Sequence, residues 1–282
     1  MALPIEFVEL PWRERTVRIE LQRIAPAAAR PAAPLLVFLH EGLGSLAMWR
    51  DFPQRLCDAA GVHGLVYSRP GYGRSTPRAP DEHWDVDFMH RQAHEVLPAL
   101  LQALHIDGAR QPLWLLGHSD GGSIALLHAA RFAQQVSGLV VMAPHVSVEP
   151  KAVASITQAR ANYLNTDLPQ RLARYHDDVD SAFWGWNDIW LHAPFARWNI
   201  EDEIAVIGSP LLALQGVDDE YGTLDQIHAV ARRVPHAQLV EIARCGHSPH
   251  RDQPEHVIDE VTRFIAAHTA PRRLQPQHQP TA

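Results

Sequence analysis

Eight short apolar or alternating runs are spaced along the first 242 residues, at 5–10, 17–24, 35–40, 64–68, 113–118, 138–143, 211–215 and 238–242. Those at 35–40, 113–118 and 138–143 are apolar almost throughout, as strands covered on both faces must be. Between the runs the apolar residues recur at helical spacing. Met89, Ala93, Val96, Leu97, Leu100, Leu101 and Leu104 form one stripe, and Val257, Ile258, Val261, Phe264 and Ile265 another. Strand–helix alternation of this kind predicts an α/β fold with a mainly parallel sheet. The alternation stops at 145–208, which is helical in pattern and holds four of the eight tryptophans within the 15 residues 184–198. This segment reads as an insertion between two parts of one core, 1–144 and 209–270. Residues 271–282, rich in Pro, Gln and Arg, read as a disordered tail.

Composition narrows the function classes. A chain of 282 residues with 46% hydrophobic and 20% charged side chains is globular in character. At this size a fold hides roughly 75% of the surface of its unfolded chain. No run approaches the ~20 apolar residues of a membrane span. The N-terminus lacks the basic region, apolar run and small-residue cleavage site of a secretory signal, so a cytoplasmic protein is expected. A net charge of −7 speaks against nucleic acid as a partner. Two cysteines make no disulfide framework. The expected partner is a small-molecule substrate, and a homodimer is left open.

The stretch 113–122 carries the chemistry. An apolar strand runs into Gly117-His118-Ser119-Asp120-Gly121, and a helical pattern follows at 123–132. Gly-x-Ser-x-Gly in this setting is a nucleophile elbow, in which the glycines relieve crowding at a strained turn. The turn would lift the Ser119 hydroxyl above the strand tip, at the positive end of a helix dipole.

A serine nucleophile needs a base and an orienting acid, and both should follow later strands. The run at 211–215 leads into Gly216-Val217-Asp218-Asp219-Glu220, and that at 238–242 into Gly246-His247-Ser248-Pro249-His250. Both loops lie at carboxyl ends of parallel strands, where open α/β sheets hold their sites. His247, directly after glycine, is the expected base in preference to His250. Asp218 and Asp219 both remain candidates on spacing alone. Cys245, His247 and His250 have no complementary metal motif elsewhere, and Arg91 between His90 and His94 stands where a zinc-protease motif has Glu. No metal and no organic cofactor is expected.

Taken together these motifs resemble the α/β-hydrolase superfamily over about residues 5–268, and within it the small capped bacterial esterases, enol-lactonases and C–C hydrolases. His40-Glu41-Gly42-Leu43-Gly44-Ser45, followed by Trp49, resembles the oxyanion loop of that family. Ser68 to Ser75 resembles its Gly-x-Gly-x-Ser turn. The resemblance implies an eight-stranded, mostly parallel sheet flanked by helices, with 145–208 as a helical cap. It implies a triad of Ser119, Asp219 and His247, selecting Asp219 because the family acid lies three residues after the glycine. It further implies an oxyanion hole from the backbone N–H groups of Asp120 and Gly42, with Leu43 as the alternative to Gly42. Two positions depart from the family. Glu41 stands where Gly is usual, and Asp120 where Met or Gln is common. Asp120 is accounted for as an acid in the first turn of a helix, stabilised by the dipole, and Glu41 as a brace of its loop through an ion pair or hydrogen bond; the alternative is that these acids bind a polar or cationic substrate group. Serine at 119 excludes the dehalogenase and epoxide-hydrolase chemistries of this fold, which use Asp there.

The expected activity is hydrolysis of an ester or lactone of a small, partly apolar or aromatic substrate through an acyl-enzyme. One alternative is hydrolysis of a C–C bond in a vinylogous diketone, with Arg69, Arg74 and Arg160 as carboxylate partners. The other is a non-catalytic small-molecule-binding protein of the same fold. Trp184, Trp186, Trp190, Trp198, Phe183, Phe195 and Tyr163 are candidates for the inner wall of the pocket or for the cap's own core, and His145, directly after Pro144 at a strand end, is a further candidate substrate contact.

Overall fold

The structure, a computed structural model, describes residues 4–30 and 33–269, so the tail at 271–282 lies outside the described residues. The strands are β1 (Ile5–Trp12), β2 (Arg15–Ile24), β3 (Leu35–Leu39), β4 (His63–Tyr67), β5 (Leu113–His118), β6 (Gly138–Met142), β7 (Leu211–Gly216) and β8 (Gln238–Ile242). They form one sheet in the order β1-β2-β4-β3-β5-β6-β7-β8. The β1–β2 and β2–β4 pairs are antiparallel and the remainder parallel. The expected α/β-hydrolase architecture, an eight-stranded and mostly parallel sheet, is therefore present.

The helices are α1 (Phe52–Ala60), α2 (Phe88–Arg91), α3 (Leu97–Ala103), α4 (Asp120–Arg131), α5 (Pro150–Asn165), α6 (Leu168–Leu172), α7 (Val179–Trp190), α8 (Glu201–Ile204), α9 (Asp225–Arg233), α10 (Pro249–Asp252) and α11 (Pro254–Thr269). Strand pleating divides the core between the two faces of the sheet. Leu35, Val37 and Leu39 of β3 join the cluster that includes α2, α3 and α4, whereas Leu36 and Phe38 join the cluster with α1 and α11. The stripe from Val257 to Ile265 is the buried face of α11.

Two local departures from the sequence reading have physical causes. The strands expected at 5–10 and 17–24 extend to Trp12 and back to Arg15. They meet in a two-residue hairpin at Arg13 and Glu14, both with positive φ (48° and 59°). Such turns usually contain Asn or Gly, so nothing in Arg-Glu announced it. The stripe at 89–104 is broken by a π-helical turn, Gln92–Val96, between α2 and α3. Pro98 begins α3 without an N–H to donate, and the wider turn immediately precedes it.

Between β6 and β7 the chain leaves the sheet, forms α5 to α8, and returns. An isolated antiparallel bridge, Ser147 with Asn199, ties the two ends of this excursion together. Among the described residues no helix is long and apolar enough to cross a membrane.

Candidate active site

Ser119 is the single residue between the end of β5 and the start of α4. Its backbone is held at φ 52°, ψ −122°, a conformation that costs a non-glycine residue about 1–3 kcal/mol. The neighbours enforce it. A Cβ on Gly117 would run into the Gly121 carbonyl, and a Cβ on Gly121 into the carbonyls of Leu39 and His40. The Ser119 N–H donates to the Met142 carbonyl at 2.9 Å, fixing the turn to the tip of β6.

Three loops converge on this serine. Ser119 Oγ lies 2.9 Å from His247 Nε2, and His247 Nδ1 lies 2.9 and 3.0 Å from the two oxygens of Asp219. Asp219 Oδ1 also accepts the N–H groups of Tyr221 (2.8 Å) and Gly222 (3.1 Å), and Oδ2 accepts from Gln215 Nε2 (3.1 Å). Burial alone would raise the Asp219 carboxyl, but His247 and the two backbone donors outweigh it and hold it below its ordinary pKa. It is an anion whose role as orienting acceptor is already satisfied. Tyr221 lies against the His247 ring, with centroids 4.8 Å apart. Glu220 accepts the His247 N–H at 3.0 Å, so His247 is fixed through backbone as well as ring. The competing residues lie elsewhere. Asp218 is exposed, and His250 is buried against Trp49 and His118.

The loop after β3 is braced from below. His40 Nδ1–H donates to the Glu41 carbonyl at 2.7 Å, while His40 Nε2 accepts the Arg69 N–H at 3.0 Å. Both roles need the neutral ring, and burial and the nearby Arg69 push its pKa well down. The Arg69 side chain, fully buried, donates from Nη2 to the same Glu41 carbonyl at 2.8 Å and lies over the Tyr72 ring. Its charge faces Asp120 Oδ2 at 3.9 Å. Burial raises the Asp120 carboxyl to about 6 despite Arg69, and its Oδ1 accepts from Trp190 Nε1 at 3.2 Å. Asp120 is therefore held between Arg69 and a tryptophan, and it lines the cavity beside Ser119. The N–H groups of Gly42 and Asp120 have no acceptor among the described residues.

A cavity of about 160 Å³ opens over Ser119, with Glu41, Leu43, His145, Ile156, Trp186, Trp190 and Tyr221 in its wall. Of the candidate tryptophans, Trp186 and Trp190 line it and Trp184 and Trp198 do not. Trp186 and Trp190 are four residues apart on α7 and share its inward face. Trp186 lies so close over Gly42 that a Cβ there would strike the indole nitrogen. Trp184 is on the opposite side of the helix. It packs on Tyr163 and Phe183 and faces a separate cavity of about 460 Å³ with Arg78 and Trp84. Trp198, beyond the turn Ala193–Arg197, stacks on Phe195. Phe183, Phe195 and Tyr163 belong to the core, Tyr163 and Phe183 being stacked at 3.7 Å. His145 lines the cavity against Trp190, and burial pushes its pKa down to about 3, so it is neutral. None of Arg69, Arg74 and Arg160 reaches the cavity. Arg74 faces Glu20, and Arg160 binds Asn187 and Asp188.

Residues 36–260 match the sequence pattern of the alpha/beta hydrolase family. The chain belongs to the α/β-hydrolase family. It is similar to the mouse sn-1-specific diacylglycerol lipase ABHD11, 25% identical over 264 residues covering 83% of this chain and 81% of the lipase. It is also similar to a 2-succinyl-6-hydroxy-2,4-cyclohexadiene-1-carboxylate synthase of Yersinia pseudotuberculosis, 34% identical over 274 residues covering 87% and 93% of the two chains. The proline iminopeptidase of Mycobacterium smegmatis shares the fold, with a TM-score of 0.72, 20% identity, and coverage of 93% and 98%.

In this α/β hydrolase several cavity or supporting residues went unnamed by sequence reasoning. Tyr221 and Glu220 directly follow Asp219, so the acid loop itself was the signal for both. Gln215 closes β7, four residues before the carboxylate it supports. His118 sits inside the Gly-x-Ser-x-Gly motif, but its partners come from distant loops and left no local trace.

Proposed function

We propose that this α/β hydrolase cleaves a small ester or lactone through an acyl-enzyme on Ser119. The observation that carries the reading is the unbroken chain Ser119 Oγ, His247 Nε2, His247 Nδ1, Asp219, at 2.9 Å per link. His247 Nε2 takes the hydroxyl proton as Oγ bonds to the substrate carbonyl carbon. The Gly42 and Asp120 N–H groups receive the oxyanion, each such donor being worth about 2.7–4 kcal/mol. The alkoxide then leaves with the proton from His247. Water attacks the acyl-enzyme, gives a proton to His247, and the acid departs as Ser119 is reprotonated. Asp219 keeps the Nδ1–H tautomer in place and stabilises the transient imidazolium.

The helices α5 to α8 serve as a cap, with Trp186 and Trp190 excluding water from the oxyanion. The small volume and the apolar surfaces of Leu43, Ile156, Trp186 and Trp190 favour a short apolar or aromatic acyl group. The C–C hydrolase alternative required anion partners, and the three arginines proposed for that role lie outside the cavity wall. The lipase similarity supports ester chemistry, and the synthase similarity concerns a product carrying a carboxylate, for which this wall offers no lysine or arginine. Hydrolysis of p-nitrophenyl acetate, butyrate, hexanoate and benzoate is the test. Turnover that favours one acyl size and is abolished in Ser119→Ala is expected; equal turnover in Ser119→Ala, or no labelling of Ser119 by a fluorophosphonate, overturns the reading.

A further inference from the structure

His145 lines the cavity over Ser119 yet takes no part in acyl transfer. The chain fixes it firmly. Ala143, two residues earlier, is held at φ 46°, a region that residues other than glycine seldom occupy. Ser123, one turn of α4 beyond Ser119, clamps the His145 backbone at both ends. The His145 N–H donates to Ser123 Oγ at 3.1 Å, and the Ser123 hydroxyl donates to the His145 carbonyl at 2.6 Å. The next N–H, of Val146, donates to Gln226 Oε1 at 2.7 Å. The ring stands edge-on to Trp190, with centroids 4.9 Å apart. Its place relative to the nucleophile is therefore set before any substrate arrives.

The ring itself is unsatisfied. His145 is 3% exposed, and neither nitrogen has a hydrogen-bond partner among the described residues. Nδ1 is enclosed, which leaves Nε2 as the nitrogen that the cavity reaches. A buried polar group without a partner is costly, and native chains seldom leave one without a use. Burial keeps this ring neutral, and a neutral imidazole has one donor nitrogen and one acceptor. The rest of the wall decides what can meet it. Glu41, Asp120 and Glu220 share the wall with no lysine or arginine, so an anionic substituent is repelled. A hydroxyl is neutral and both donates and accepts, so it fits Nε2 in either tautomer.

We propose that His145 binds, through Nε2, a hydroxyl group on the acyl part of the substrate. Trp190, against which the ring lies, is a wall of the acyl pocket in the ester-hydrolase reading, and the inference rests on that reading. The preferred substrate is then a short ester or lactone with a hydroxyl near the scissile carbonyl. Apolar surface around one fixed polar group is how small-molecule sites combine affinity with selectivity.

The test compares the p-nitrophenyl esters of butyrate, 2-hydroxybutyrate, 3-hydroxybutyrate and 3-aminobutyrate. Each kcat/KM is divided by the rate constant for alkaline hydrolysis of the same ester, which removes intrinsic reactivity. A hydrogen bond to a buried group discriminates by about 10- to 100-fold, so the wild type should favour one hydroxy ester over butyrate by that factor. His145→Phe keeps a flat ring beside Trp190 without nitrogen atoms, and its preference should fall to within about threefold of unity. His145→Gln, whose amide can donate and accept, should recover part of the preference.

A wild-type ratio near unity for both hydroxy esters overturns the proposal, whether or not the variants fold. So does a preference retained in folded His145→Phe. A gain for the amino ester that exceeds both hydroxy esters and survives in His145→Phe assigns the polar contact to the carboxylates, and also overturns it. Fluorophosphonate labelling of the wild type is run alongside. Failure to label Ser119 rejects the hydrolase reading; normal labelling with no hydroxyl preference rejects only the His145 contact.

Discussion

Acidification from pH 7 to pH 5 should remove most of this protein's stability, through histidines that the fold keeps neutral. His40, His128, His145 and His250 are almost wholly buried, at 0–4% exposure. Burial lowers the pKa of each, to about 4 for His128 and about 3 for His145. An unfolded chain takes up these protons as the pH falls through about 6.5, whereas the native state refuses them. Their contribution is therefore complete above pH 6.5 and is lost as the pH falls towards the folded values. Each costs about 1.4 kcal/mol per pH unit, so at pH 5 each has cost about 2 kcal/mol and the four together about 8 kcal/mol. Asp120 works in the opposite direction, because its carboxyl is raised to about 6 and protonates in the native state first; it returns about 1 kcal/mol. Asp219 and Glu41, both lowered, keep their contributions until the pH falls below about 4. The net loss of about 6–7 kcal/mol compares with total stabilities of about 5–15 kcal/mol for folded domains. Urea unfolding followed by tryptophan fluorescence at pH 7, 6 and 5, at fixed ionic strength, measures it. A stability unchanged over this range, or falling with a slope below one proton, would refute the reasoning.

Further predictions follow from single contacts. Asp219→Asn should lower kcat by about 10³- to 10⁴-fold with little change in KM, as loss of the tautomer-fixing acid does in serine triads; retention of a tenth of the activity in ester assays would place the acid elsewhere. Gly121→Ala should destabilise by about 3 kcal/mol or more, since the added methyl meets two carbonyl oxygens that the sheet holds in place. A melting temperature within a few degrees of wild type would contradict that packing. Trp190→Ala should alter the ranking of acyl chains in kcat/KM, while Trp184→Ala, on the far side of α7, should leave the ranking unchanged.

The parts of this molecule legible in the sequence are those specified locally. Apolar runs placed all eight strands within a few residues, because a strand covered on both faces has little freedom in composition. The turn at Ser119 was legible because crowding there admits only glycine at two neighbours. His247 followed from loop position and chain order, which left Asp218 and Asp219 both open; the family resemblance chose Asp219. What stayed hidden depends on packing between distant segments. Helical spacing groups Trp186 with Trp190, but which side of α7 faces the cavity is decided by contacts with distant segments, so the sequence left open which of the tryptophans line it. Glu41 was visible as an anomaly, yet its partner His118 lies 77 residues away. The arginines at 69, 74 and 160 looked available for a substrate anion until their own partners were seen.

The central claim is that Ser119 attacks a carbonyl and carries the acyl group. Brief reaction with p-nitrophenyl butyrate, acid quench and intact-mass measurement tests it most directly. The account predicts a gain equal to one butyryl group, about 70 Da, mapped by peptide digestion to Ser119 and missing in Ser119→Ala. Turnover with the acyl group on another residue, or an equal adduct in Ser119→Ala, would contradict it.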